Sequence, residues 1–119
     1  KTLAPAGRQR LGSRAMATFA LISDPHVTVP NPETGWFGGT VPGEPTLYDR
    51  SVEILETAID EINALPDLDF VLVPGDLTRD SEPYNHDRAR ELLTRLRKPV
   101  YCVSGNHDQP RPARLRPLE

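Results

Sequence analysis

VYCVSGNHD, residues 100–108, is an apolar run that stops at Gly105 and gives way at once to Asn106, His107 and Asp108. An uninterrupted apolar run of strand length suits a strand inside a sheet. The abrupt change to ligand-type residues at its carboxyl end suits a loop that carries chemistry. The same form occurs twice upstream, in TFALISDPH at 18–26 and in FVLVPGD at 70–76. Three strand ends of this kind would deliver Asp24, His26, Asp76, Asn106, His107 and Asp108 toward one edge of a sheet.

Between the runs the period changes from strand to helix. TLYDRSVEILETAIDEINAL, residues 46–65, puts Val52, Leu55, Ile59 and Ile62 on one face at helical spacing, with Glu53, Glu56, Asp60 and Glu61 on a solvated outer face. Thr46 with Asp49 resembles a capping box that would start this helix, and Pro66 ends it. A second helix over residues 84–97 turns Ala89, Leu92, Leu93 and Leu96 inward, and Pro99 stops it. His86 falls on its exposed side. The order is β-α-β-α-β, which implies right-handed crossovers and a parallel sheet of the α/β class. Runs without polar alternation predict helices on both faces of that sheet. In such sheets ligands bind beyond the carboxyl ends of the strands, where all the candidate residues lie.

Composition narrows the function classes. A chain of 119 residues is one domain at most, and its net charge of −3 gives no electrostatic reason to expect nucleic acid as a partner. No run reaches the roughly 18–20 apolar residues of a membrane span. Arg8, Arg10 and Arg14 ahead of AMATFALIS imitate a signal peptide, but the apolar part is short and has no small-residue cleavage site before Asp24. The single cysteine, Cys102, excludes a disulfide scaffold, reads as a small buried hydrophobe, and favours a reducing, cytoplasmic setting. Of thirteen prolines, seven cluster in Val29 to Pro45 and Pro110 to Pro117, marking a long loop and a tail. In that loop Trp36 and Phe37 are expected to pack on the body in preference to contacting substrate. The chain starts at Lys1, with Met16 just before the first run, so it reads as a fragment with upstream sequence. Residues 1–17 are expected to be unstructured and 109–119 to form a Pro/Arg-rich tail.

Taken singly, each motif has a bland reading as a turn, a cap or a solvated loop histidine. Taken together and in this order, D-x-H at Asp24–His26, G-D at Gly75–Asp76 and G-N-H-D at Gly105–Asp108 resemble the calcineurin-like metallophosphoesterases. The PGDLTRD context is most similar to the bacterial cyclic-nucleotide phosphodiesterase branch. The resemblance implies that residues 18–108 are the N-terminal half of a layered metallophosphoesterase sheet fold. It implies a dinuclear centre in which Asp24 and His26 bind the first metal, Asp76 bridges both and Asn106 binds the second. It also implies that His107 meets the phosphate and protonates the leaving oxygen, with Asp108 orienting it. The residue chemistry agrees, because a carboxylate can bridge, an amide carbonyl is a neutral oxygen ligand, and imidazole with oxygen donors suits manganese, iron or zinc. Two such ions about 3.5–4 Å apart activate a bridging water and neutralise phosphoryl charge.

Members of the family continue past this point with further histidines, whereas the only other histidine here is His86 and QPRPARLRPLE follows Asp108. The expectation is therefore a small-molecule phosphate ester hydrolase when complete, with these residues alone nearly inactive. The competing reading is a degenerate or truncated metal-binding or interaction module. A nucleotide-binding doubly wound domain would need a Gly-rich turn after the first strand, which ISDPHV lacks. Substrate identity and oligomeric state are left open by the sequence.

Overall fold

The computed structural model describes residues 16–37 and 47–109. Each apolar run supplies a strand and each helical period a helix: β1 (Phe19–Leu21), α1 (Ser51–Asn63), β2 (Phe70–Val73), α2 (Pro83–Leu93) and β3 (Val100–Cys102). Single 3-10 turns at Tyr48–Arg50 and Asn106–Asp108 precede α1 and follow β3. The strands are parallel in the order β1-β2-β3, with Leu21 beside Leu72 and Leu72 beside Tyr101. Strand bounds are tighter than the apolar runs, yet pairing continues past them: the Ile22 amide donates to the Leu72 carbonyl at 2.9 Å and the Val103 amide to the Val73 carbonyl at 3.1 Å. No helix among the described residues is long and apolar enough to cross a membrane.

The core forms where the two helices meet one face of the sheet. Leu55, Ile59 and Ile62 from α1 and Ala89, Leu92 and Leu93 from α2 join Ile22, Val71 and Val73 in one buried cluster, with Ala20 and Val100 packed at its edge. The helical faces read from the sequence are the observed ones, and Leu96 stays buried although α2 ends earlier, at Leu93. Glu56 of α1 reaches Arg88 at 3.6 Å and Arg95 at 3.1 Å, tying the helices on their outer side. The Asn63 side chain donates to the Arg95 carbonyl at 2.9 Å and accepts from the Arg97 amide at 3.0 Å, fixing the end of α1 against the end of α2.

Two sequence expectations are corrected here. Among the described residues the sheet is covered by helices on one face, not both. With neighbours in sequence also neighbours in the sheet, successive right-handed crossovers put both helices on the same side. The alternate side chains, Phe19, Leu21, Phe70, Leu72, Tyr101 and Val103, form an apolar face that no described element covers. Phe19, Leu21, Tyr101 and Val103 are 48–61% exposed. The aromatic rings on this face pack on one another instead, Phe19 stacked on Phe70 at 5.2 Å and Tyr101 edge-on to Phe70 at 5.8 Å. Cys102, expected to be buried, is exposed because β3 is an edge strand.

Helix α1 begins at Ser51 behind its 3-10 turn, and the Thr46 half of the expected capping box lies outside the described residues. So do the expected unstructured segment before Met16 and the tail after Gln109. Ser51 anchors the helix start from within: its hydroxyl accepts from the Thr28 amide at 3.0 Å and donates to the Thr28 carbonyl at 3.3 Å. Buried Asn85 of α2 does the same for the next residue of that loop, its side-chain oxygen accepting from the Val29 amide at 2.9 Å. The loop leaving β1 is thus clamped by both helices, which holds the residues just before it.

Candidate metal centre

Beyond their last regular pairs, β1 and β2 keep their main chains together while turning sharply. Asp24, His26 and Asp76 adopt left-handed φ values of 48°, 44° and 51°, a region that disfavours side chains and is tolerated best by short polar ones. Pro25, with no N–H to offer, separates the first two. The amide of His26 donates to the Asp76 carbonyl at 3.0 Å and that of Val27 to the Leu77 carbonyl at 2.8 Å, so the two strand ends turn as a pair. Fully buried Val27 and Thr78 pin the far side of this turn.

The result is a donor cluster. One ligand atom each from Asp24, His26 and Asp76 lies within 4.8 Å of the others. Nε2 of His26 stands 4.0 Å from Oδ2 of Asp76, too far for a hydrogen bond. Two donors about 2.0–2.2 Å from one ion stand up to roughly 4.4 Å apart, so this gap fits a shared cation. Nδ1 of His26 is buried and has no hydrogen-bond partner, a desolvated polar atom in a ring that otherwise faces carboxylates. The residues therefore fit a metal. The Ser23 hydroxyl donates to the Asp24 carboxylate and holds that carboxyl below its ordinary value against a smaller desolvation effect, with Asp76, His26 and His107 acting in the same sense.

The third loop joins this pair by contact between glycines. Gly75, at φ 118°, lies against Gly105, and a Cβ on Gly75 would stand 2.9 Å from the Gly105 Cα. A Cβ on Gly105 would fall on the Asp76 amide and carboxylate. That approach lets the His107 amide donate to Oδ1 of Asp76 at 3.0 Å while Oδ2 faces His26. The His107 ring sits edge-on to His26 at 4.9 Å, and its Nδ1 lies 2.7 Å from the Arg79 carbonyl oxygen. Asn106 is exposed at the first position of the 3-10 turn, one residue ahead.

Asp108, which the resemblance would have orient His107, turns its carboxylate onto main-chain amides of the neighbouring loops. Its Oδ1 accepts from the Thr78 amide at 2.8 Å and the Thr78 hydroxyl at 3.2 Å, and its Oδ2 from the amides of Leu77 at 3.0 Å and Gly105 at 2.9 Å. The 3-10 turn swings the carboxylate behind the loops, where it staples the third loop to the second. Burial pushes this carboxyl up, but the Gly105, Thr78 and Leu77 amides outweigh it and leave it below its ordinary value.

Residues 17–118 match the family model of the calcineurin-like phosphoesterases. This chain belongs to that family. It is 40% identical over 42 residues to a probable cyclic nucleotide phosphodiesterase of Synechococcus sp., a stretch covering 35% of this chain and 16% of that protein. It is also 40% identical over 58 residues to a probable cyclic nucleotide phosphodiesterase of Rhodopseudomonas palustris, covering 48% of this chain and 21% of that one. The matched stretches thus span well under two thirds of either relative. Within this calcineurin-like phosphoesterase domain the three-donor cluster is a candidate site for a divalent cation.

Beside the cluster, a cleft of about 510 Å³ runs between β1 and α1 of the phosphoesterase domain, lined by Asp24, His26, Tyr48, Leu21, Ile54 and Ala58 among others. Tyr48 was not singled out by the sequence: it sits in the 3-10 turn before α1, its ring 5.8 Å from His26 and 4.5 Å beneath the Arg79 guanidinium. Thr78 was likewise missed. The signal for both was weak, since an aromatic ahead of a helix and a Thr in a turn have no spacing rule. Trp36 is 52% exposed and Phe37 half-buried, and neither lines the cleft. His86 is half-buried, with Nε2 3.4 Å from the Ser81 hydroxyl, and takes no part in the cluster.

Proposed function

We propose that Asp24, His26 and Asp76 hold a divalent transition metal ion and that the whole protein hydrolyses a phosphate ester at a dinuclear centre. Asp76 would bridge to a second ion carried in part by Asn106. Manganese, iron and zinc all suit this mixture of imidazole and oxygen donors. The single observation behind the reading is the convergence of three donors from two strand ends within 4.8 Å. Bound metal would supply an activated water and neutralise charge on the phosphoryl oxygens. The chain's own residues supply the rest: Asp76 positions His107 through its amide, and His107 presents its ring beside His26, where it can hydrogen-bond an ester oxygen and give it a proton.

The similar proteins are named as probable cyclic nucleotide phosphodiesterases, which favours a phosphodiester, such as a 3′,5′-cyclic nucleotide, as substrate class. Because the described donors complete only part of two ligand sets, the 119-residue chain by itself is proposed to turn over slowly. A cytoplasmic setting is proposed on the unpaired Cys102.

Calorimetric titration of the chain with Mn²⁺ or Zn²⁺ tests the centre, with Asp76→Asn as the contrast. Binding in the unaltered chain and a loss of affinity on the order of 10-fold or more in the variant are expected, since even changing a group that only supports a ligand costs about 10–100-fold. Equal metal content in both proteins would sink the proposal. For hydrolysis, His107→Ala should lower turnover of an aryl phosphodiester far more than it lowers metal occupancy. An equal loss of both would make His107 a ligand instead of an acid.

A further inference from the structure

We propose that the main-chain carbonyl of Arg79, held in place by the Thr78 hydroxyl, is the group that orients His107, fixing its imidazole as the Nδ1–H tautomer so that Nε2 is the atom a ligand meets. The catalytic consequence rests on the hydrolysis proposed above; the tautomer does not.

His107 Nδ1 and the Arg79 carbonyl oxygen stand 2.7 Å apart. A carbonyl oxygen can only accept, so Nδ1 must carry the hydrogen. The rest of His107 is bound by the same segment: its amide donates to Asp76 Oδ1 at 3.0 Å, and its carbonyl lies 3.3 Å from the Thr78 hydroxyl, sharing that one hydrogen with Asp108 Oδ1. Backbone and ring are thus held between residues 76 and 79. The obvious competitor, the Asp108 carboxylate, has both oxygens committed to the amides of Leu77, Thr78 and Gly105.

The carbonyl is itself anchored from both sides. Thr78 is fully buried, donates its amide to Asp108 and accepts at its hydroxyl from the Ser81 amide at 3.0 Å. Ser81, at φ 63°, donates its hydroxyl to the Asp108 carbonyl at 2.7 Å, closing the turn back onto the loop it supports. Arg79 therefore lies on a short segment whose two ends, Thr78 and Ser81, are tied to Asp108, which confines the carbonyl it carries. The edge contact with His26 limits rotation of the ring itself. With Nδ1 occupied, Nε2 is the nitrogen left to take up a proton and pass it to a substrate oxygen.

Ring-nitrogen NMR on the ¹⁵N-labelled 119-residue chain, freed of metal with a chelator and held above neutral pH, reads the tautomer directly. His107→Gln assigns the signals among the three histidines. The expected result is Nδ1 with the shift of a protonated nitrogen and Nε2 with that of a bare one, opposite to the preference of a histidine side chain free in water. Thr78→Val should move the population toward the Nε2–H form, and Thr78→Ser should restore it. A wild-type spectrum showing Nε2–H, or the averaged pattern of a free imidazole, overturns the inference without any variant. An unchanged tautomer in folded Thr78→Val overturns the role of Thr78. The Nδ1–H tautomer in a chain that binds no metal would leave this inference standing and remove the hydrolytic reading.

Discussion

A methyl group placed on Gly105 would occupy the space of the Asp76 carboxylate, so at this one residue packing and ligand placement are the same constraint. Gly105→Ala is expected to cost about 1–3 kcal/mol as an overpacked contact and to weaken metal binding, because Asp76 must give way. Urea denaturation and metal titration check the two halves. Gly35→Ala is the control: at φ 72° with nothing within 4 Å of its added Cβ, it should cost backbone strain of about 1–2 kcal/mol and leave metal binding unchanged. Asp108 predicts a pH dependence. Its folded carboxyl lies below the ordinary value, so its stabilisation is fully present above the unfolded value of about 3.9 and drains away as pH falls through the folded one. Asp108→Asn should therefore melt well below the parent at neutral pH, and the gap should close on acidification. A constant gap from neutral pH to pH about 3 would contradict this. Residue types and strand-end positions made Asp24, His26 and Asp76 legible in the sequence. The hydrogen bonds of Asp108 to the Leu77, Thr78 and Gly105 amides were not, because no spacing rule says where a 3-10 turn aims a side chain.

Helix α1 shows which contacts hold the elements together. Ile59, 1% exposed, sits in the cluster shared by both helices and the sheet, whereas Glu56 pairs with arginines at a wetted surface. Ile59→Ala should lose about 2–5 kcal/mol, and Glu56→Gln about 0–1 kcal/mol, as read from thermal or urea midpoints. Comparable losses would mean that the outer ion pairs, not the core, set the helix packing. The apolar faces of both helices were readable because burial imposes a period on them, and Leu55, Ile59 and Ile62 fall where that period puts them. The start of α1 was less readable, since its anchor is Ser51 bonded to Thr28, a contact across 23 residues that no local cap reveals. The cover of the sheet was the larger miss. A run such as FVLV in β2 states that both faces tolerate burial; which side the helices take follows from strand order, and strand order is not written in any one run.

At the scale of the molecule the three loops behave as one unit. The first two are paired through His26 and Asp76, and the third is stapled to the second through Asp108. The donor cluster is therefore a property of the sheet edge as a whole, and loosening any loop should loosen the site. The opposite side of the sheet has a different consequence. Phe19, Leu21, Tyr101 and Val103 already meet water in the folded chain. Unfolding therefore exposes less new surface at these residues than at buried ones, and apolar surface newly exposed is what raises heat capacity. Scanning calorimetry of the 119-residue chain should give a heat-capacity increment below the usual roughly 12–15 cal/mol/K per residue. An increment within or above that range would mean the face is sheltered in solution. A small increment flattens the curve of stability against temperature, so a chain with this uncovered sheet would soften gradually on both warming and chilling.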